Sequence, residues 1–171
     1  YEQYGHYAEA ESFYKRSLSI NETALGPEHL EVARSLNHLG TLYYDQGHYD
    51  DAFQLYERTL SIREKAFGPE HPSVAVSLNN MGLIYEIQSS YAKAEAAHKR
   101  SLTIKKKTFG SDHPDVGLSH FNLANLNFSQ KKYKEALISS RKYVEIYTKR
   151  FNSGYGEAKK SLRSEKITTF S

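Results

Sequence analysis

"GPEHPSVAVSLNNMGLIY" (residues 68–85) is one of three versions of the same sentence in this chain. It occurs first as "GPEHLEVARSLNHLGTLY" (26–43) and last, more worn, as "GSDHPDVGLSHFNLANLN" (110–127). The leading glycines are 42 residues apart both times, and residues 26–67 laid over 68–109 without gaps agree at 19 of 42 positions. The register extends outward: Tyr7, Tyr49, Tyr91 and Tyr133 correspond, as do Ala10, Ala52, Ala94 and Ala136, and Ile20, Ile62, Ile104 and Ile146. A fixed period of this length marks a repeat architecture, in which a unit too small to bury its own apolar face is covered by its neighbours.

Each unit carries two helical patterns. Val74, Leu78, Met81 and Tyr85, at spacings of four, three and four, form one apolar face of a first helix over about Pro72–Gln88. Pro72 suits its start, where the missing N–H has no partner to lose. A second helix over about Tyr91–Thr108 places Ala94, Leu102 and Ile104 inward and the "KR" and "KKK" runs outward. Gly47, with its counterpart Gly5, falls in the turn between helices, and Gly68 or Gly110 closes a unit as a C-terminal glycine. Small residues at Gly40, Gly82 and Ala124 mark close approach of the paired helix, with Ala52, Ala94 and Ala136 in the reciprocal role. No strand alternation competes, so the fold is all-α, built of stacked antiparallel helix pairs.

Leu36, Leu39, Gly40, Tyr43, Gly47, Tyr49, Ala52 and Tyr56 fall where the tetratricopeptide repeat has its signature residues. The 42-residue length and the wording "SLNNMGLIYEIQSSYAKAEAAHKRSLTIKKKTFGSDHPDV" resemble the kinesin light chain class of these repeats, shared with nephrocystin-like proteins. The resemblance covers roughly residues 1–150 and implies a right-handed superhelical solenoid. On this division residues 1–25 are the second helix of a partial first repeat, residues 26–67, 68–109 and 110–150 are whole repeats, and 151–171 form a degenerate capping or linker helix. It also implies a concave groove, lined by first helices, that holds an extended peptide or a helix of a partner in the manner of a cargo adaptor.

The residues support a groove on their own terms. The face of the second repeat's first helix not used by the core stripe carries Val76, Asn79, Asn80, Leu83, Glu86 and Ile87. The same face holds Arg34, Asn37, His38, Thr41 and Tyr44 in the first whole repeat, and Leu118, Phe121, Asn122, Asn125 and Phe128 in the third. Asparagine is a mediocre helix former, yet it recurs mid-helix here. A carboxamide offers a donor and an acceptor together, which suits a peptide backbone whatever its side chains. Tyr44, Leu83, Ile87, Phe121 and Phe128 would then form side-chain pockets. In kinesin light chains asparagines at the matching "LNN" positions serve cargo-peptide binding, so the resemblance points the same way; the alternative is that asparagines tie one repeat to the next. A clamp for C-terminal carboxylates is disfavoured, because only Arg34 is basic at the positions such clamps use.

Other functions find little support. No Cys is present, which removes disulfides, thiol nucleophiles and cysteine zinc sites. No apolar run approaches the roughly 18 residues of a membrane span. His29, His71 and His113 recur once per repeat, too far apart to share a metal, and are expected to be capping or packing residues in the inter-repeat turn. No phosphate loop, HExxH or paired-carboxylate motif occurs. We therefore expect no catalysis, no cofactor and no small-molecule substrate, in a cytoplasmic setting. The chain opens on Tyr1 and reads as a piece of something longer. Residues 1–92 hold 6 Lys/Arg against 13 Asp/Glu, a net −7, whereas residues 93–171 hold 17 against 7, a net +10. The basic half is expected to be solvated helix faces rather than a nucleic-acid surface, with Tyr133, Ala136, Val144 and Ile146 in core positions. A regulatory arm of a larger signalling enzyme or NTPase, or homo-oligomerisation through the incomplete N-terminal repeat, remain the alternatives to a peptide-binding scaffold.

Overall fold

The computed structural model describes the backbone of residues 2–168 and the side chains of residues 6–152. Seven helices and no strands occur among the described residues: α1 (Glu2–Leu25), α2 (Leu30–Asp45), α3 (Tyr49–Phe67), α4 (Pro72–Ile87), α5 (Tyr91–Phe109), α6 (Pro114–Ser129) and α7 (Tyr133–Thr168). They fall into two compact units, Tyr1–Thr108 and Phe109–Ser171.

The repeated loop is a helix stop followed by a helix start. Gly26, Gly68 and Gly110 adopt φ near +85°, a conformation that strains any residue with a side chain. Three residues on, His29, His71 and His113 each accept a hydrogen bond at Nδ1 from the backbone N–H two residues ahead, at 3.2 Å. The histidines are thus N-caps, satisfying one of the orphan donors of α2, α4 and α6. Phe67 stacks on His71 and Phe109 on His113, with ring centroids 4.2 and 4.6 Å apart, which holds each imidazole in its capping position. His71→Ala should cost about 1 kcal/mol in thermal or urea denaturation. His71→Asn, which keeps a side-chain acceptor, should cost clearly less.

Basic residues of the second helices clamp the loops. Arg58 donates to the Pro27 carbonyl and pairs with Glu22; Arg100 donates to the Pro69 carbonyl and pairs with Glu64. Lys65 pairs with Glu28, Lys107 with Glu70 and Lys149 with Asp112, the same 37-residue separation each time. These pairs are exposed, so each contributes little by itself; they orient the turn rather than hold the core.

In the first unit the core runs as clusters between successive helices. Val32, Ala33 and Leu36 of α2 pack with Ile62 of α3, then Ala52 and Tyr56 of α3 with Met81 and Ile84 of α4, then Val74, Ala75 and Leu78 of α4 with Ile104 of α5. The small positions work as expected. A Cβ at Gly40 would lie 2.8 Å from the Tyr56 ring, and one at Gly82 would lie 2.5 Å from the His98 ring. Buried hydroxyls add cross-helix ties: Ser101 donates to the Ala75 carbonyl at 2.8 Å, and Arg63 reaches from α3 to the Ser73 carbonyl and the Ser77 hydroxyl of α4. Burial holds the Arg63 guanidinium below its ordinary pKa.

In the second unit Val116, Leu123 and Leu126 of α6 and Ala136 and Ile146 of α7 are all buried. The third repeat moves the close contact. Gly117 replaces the alanines of the earlier copies, and a Cβ there would lie 2.9 Å from the Tyr147 ring.

Four expectations need correction. Gly5 makes no turn, since α1 runs through it from Glu2. Lys105 is buried rather than outward-facing, because it occupies the register of Arg63, whose stem also lies inward. Tyr133 and Val144 are not core residues; they are 59% and 56% exposed. The reason lies in the helix itself. At residue 152 the register that supplies Gly68 and Gly110 holds Asn, and α7 continues for 36 residues instead of stopping after 19 like α3 and α5. No following helix turns back within Tyr133–Thr168 to cover them. The side chains from residue 153 onward, in the stretch expected to form a degenerate capping or linker helix, lie outside the described residues.

Candidate functional site

The predicted groove residues are carried by α2 and α4 in the first unit and by α6 in the second, and none of the sixteen is buried. They do so because the core stripe takes the opposite face of each helix, leaving the residues three and four positions away from one another in a row.

On α2, Arg34 is exposed and paired with Glu31 at 2.7 Å. Asn37 accepts a hydrogen bond of 3.4 Å from the side-chain amide of Asn80 on α4. His38 lies 5.6 Å from the Tyr14 ring of α1, and both line a recess of about 360 Å³ with Tyr7, Ala10 and Thr41. The Thr41 hydroxyl donates to the Asn37 carbonyl and accepts from the Tyr56 hydroxyl at 3.1 Å, so its polar atom is committed to the fold. Tyr44 meets Tyr49 edge-on at 5.5 Å. Burial raises the pKa of its phenol, and Tyr49, Glu86 and Asp45 raise it further.

On α4, Val76 and Ile87 are 44% and 43% exposed, with Asn79 and Leu83 half-buried between them. Glu86 behaves differently. Its carboxylate meets Nε2 of His98 at 2.7 Å, and His98 is only 1% exposed. Asn80 and Glu86 thus serve packing as well as the surface: one links α4 to α2, the other satisfies a buried ring.

On α6, Leu118, Phe121 and Phe128 are 45%, 43% and 65% exposed. Phe121 leans on Tyr143 of α7 at 5.3 Å, and Phe128 meets Tyr133 edge-on at 5.6 Å. Asn125 is exposed and Asn122 half-buried. The row that is mixed on α2 is therefore aromatic on α6. Sequence reasoning missed the second-helix aromatics Tyr14 and Tyr143, which lie against His38 and Phe121. Their signal was available, because an exposed ring on one helix needs a neighbour to shield its flank.

Among the described residues no group of three His, Asp or Glu could hold a metal, and no helix is long and apolar enough to cross a membrane.

The family model "Tetratricopeptide repeat" matches residues 1–65, 49–107 and 73–149. No curated protein matches the sequence. Among solved structures, a putative kinesin light chain of Podosopora anserina with nearly identical TPR-like repeats is 26% identical, with a TM-score of 0.73 over 87% of this chain and 71% of that one. BtubC (BKLC) from P. vanneervenii is 22% identical, with a TM-score of 0.77 over 88% of this chain. The apo form of RapI is 23% identical, with a TM-score of 0.75 over 91% of this chain. The chain spans 60% of the length of BtubC and 55% of that of RapI.

Proposed function

This chain belongs to the tetratricopeptide repeat family, and on that premise we propose that it is a non-catalytic protein-interaction scaffold whose first helices receive an extended segment of a partner protein. The observation that carries the reading is the row on α4. Val76 and Ile87 are apolar and almost half exposed, with Asn79 and Leu83 between them, on the side the core does not use. Apolar side chains kept in line on a solvated helix face are the usual mark of a contact surface. Asparagine amides in the same row supply donors and acceptors for a peptide backbone.

The rows of the two units differ in composition, and each is read by itself. Arg34, Asn37, His38, Thr41 and Tyr44 make the α2 row polar with one aromatic, which suits a polar stretch of ligand. Leu118, Phe121, Asn122, Asn125 and Phe128 make the α6 row aromatic, which suits an apolar anchor. An open row gives few enclosed hot spots, so affinity should be of micromolar order. Kinesin light chain-like cargo or adaptor binding is the finer form of this reading, in keeping with the repeat class.

The test is a pull-down followed by peptide-array mapping, then the double substitution Asn79→Ala with Ile87→Glu. Binding should fall about tenfold with helical content retained, and Ile87→Glu alone, at a side chain 43% exposed, should weaken binding with melting close to wild type. Undiminished binding by that variant would place the contact elsewhere and end the reading.

A further inference from the structure

One face of the second unit repeats, in register, a face that is covered in the first. On α3, Ala52 and Tyr56 are covered by Met81 and Ile84 of α4, and Tyr44, Tyr49, Phe53 and Leu60 pack against the same cluster. Phe53 meets Tyr85 edge-on at 5.4 Å, and at the end of α4 the Gln88 amide donates to Asp50 at 3.4 Å. Two repeats later the registers of Tyr44, Tyr49, Phe53 and Leu60 hold Phe128, Tyr133, Leu137 and Val144. These are 65%, 59%, 52% and 56% exposed. Between α6 and α7 lies a recess of about 410 Å³, floored by Ala124, Ala136 and Ser140. It exists because Ser140 stands in the register of Tyr56 and because α7 runs straight on.

The sequence of the seat has changed in one telling way. The register of Asp50 is Lys134, and Lys134, Leu137 and Arg141 share a helix face at spacings of three and four. Both basic residues are exposed. Where α3 receives a neutral amide with a carboxylate, α7 presents an ammonium group. We propose that this face binds an amphipathic helix of a partner protein, seated on α6 and α7 as α4 is seated on α3, with an acidic residue at the position of Gln88. Its anchors stand at the spacing of Met81, Ile84 and Tyr85. The recess left by Ser140 takes a bulkier residue at the first of them than methionine. The seat shares Phe128 with the aromatic row of α6 but not Lys134 or Leu137, so variants at those two residues separate it from the scaffold reading above.

The chain supplies its own probe. Fluorescein-labelled peptides of residues 70–90 are made with Gln88, Gln88→Glu and Gln88→Lys, and titrated with the full chain by fluorescence anisotropy. Saturable binding is expected in the order Glu, Gln, Lys, with about fivefold between the ends. Lys134→Glu should reverse that order. Leu137→Asp should weaken binding at least about tenfold with unchanged far-ultraviolet circular dichroism, because Leu137 is half exposed. Absence of saturable binding by all three peptides overturns the proposal. So does an order that Lys134→Glu leaves unaltered, or self-association of the chain in light scattering that Leu137→Asp disperses, which would give the face to a second copy.

Discussion

Gly82→Ala should be the most damaging single methyl in this protein, costing about 3 kcal/mol and lowering the melting temperature by about 10 °C. The added carbon would stand 2.5 Å from the His98 ring and 2.8 Å from both of its nitrogens. The ring cannot step aside, because it is buried and held by Glu86. Overpacking of this kind is relieved only by moving a helix. The third repeat suggests the remedy, for there the corresponding pair is Ala124 with Ser140. Combining Gly82→Ala with His98→Ser should therefore recover part of the loss, and a double-mutant cycle read by thermal denaturation measures how much. A cycle showing simple additivity would mean that the two positions do not meet.

Glu86→Ala should cost about 2–3 kcal/mol, although its side chain sits on a surface row. Among the described residues the Nδ1 atom of His98 meets no hydrogen-bond partner, so the contact of Nε2 with Glu86 is what answers the polarity of a ring that is 1% exposed. Removing it leaves both ring nitrogens buried without a partner, a penalty larger than the net worth of the bond. Glu86→Gln, which keeps an acceptor oxygen at the same place, should cost much less, and urea denaturation of the two variants separates them. Substituting Glu86 and His98 together by leucine should restore most of the stability, since an apolar pair carries no unmet polar group. Loss of partner binding in Glu86→Ala is then expected to follow loss of structure, and to vanish when binding is measured well below the melting midpoint.

The legible part of the fold was everything the repeat writes more than once. The 42-residue register located the helices α2 to α6, their glycine stops and the histidine caps, because each is a local choice of residue against backbone. The close approach at Gly40 and Gly82 was legible for the same reason, but not what approaches. The facing position is Tyr56, His98 and Ser140 in successive copies, and a position that varies gives no periodic signal. Glu86 shows the limit most clearly. Helix geometry put it on the outer row, while its partner lies 12 residues ahead across a turn. Asn80 is similar: its amide was readable as a ligand contact and also as a tie between repeats, and the bond to Asn37 belongs to the second kind. Tyr133 and Val144 were misjudged because register says which face a residue takes and says nothing of whether a neighbour arrives to cover it.

The variable pairs at the small positions also bear on how such a chain avoids tangling. Repeats that share one register invite a first helix to dock on the wrong second helix while the chain is still collapsing. The loop ion pairs cannot prevent this, because Lys65, Lys107 and Lys149 each find an acid at the same offset. The steric keys can. A helix bearing Ala124 does not fit a second helix bearing Tyr56 or His98, since even a glycine there leaves no room for another carbon. It is accepted only where Ser140 has cleared the space. Helices α2 and α4, with Gly40 and Gly82, carry no such bar. The bar is one-sided: α6 is kept from the second helices that bear Tyr56 and His98, which removes two of the wrong pairings open to it.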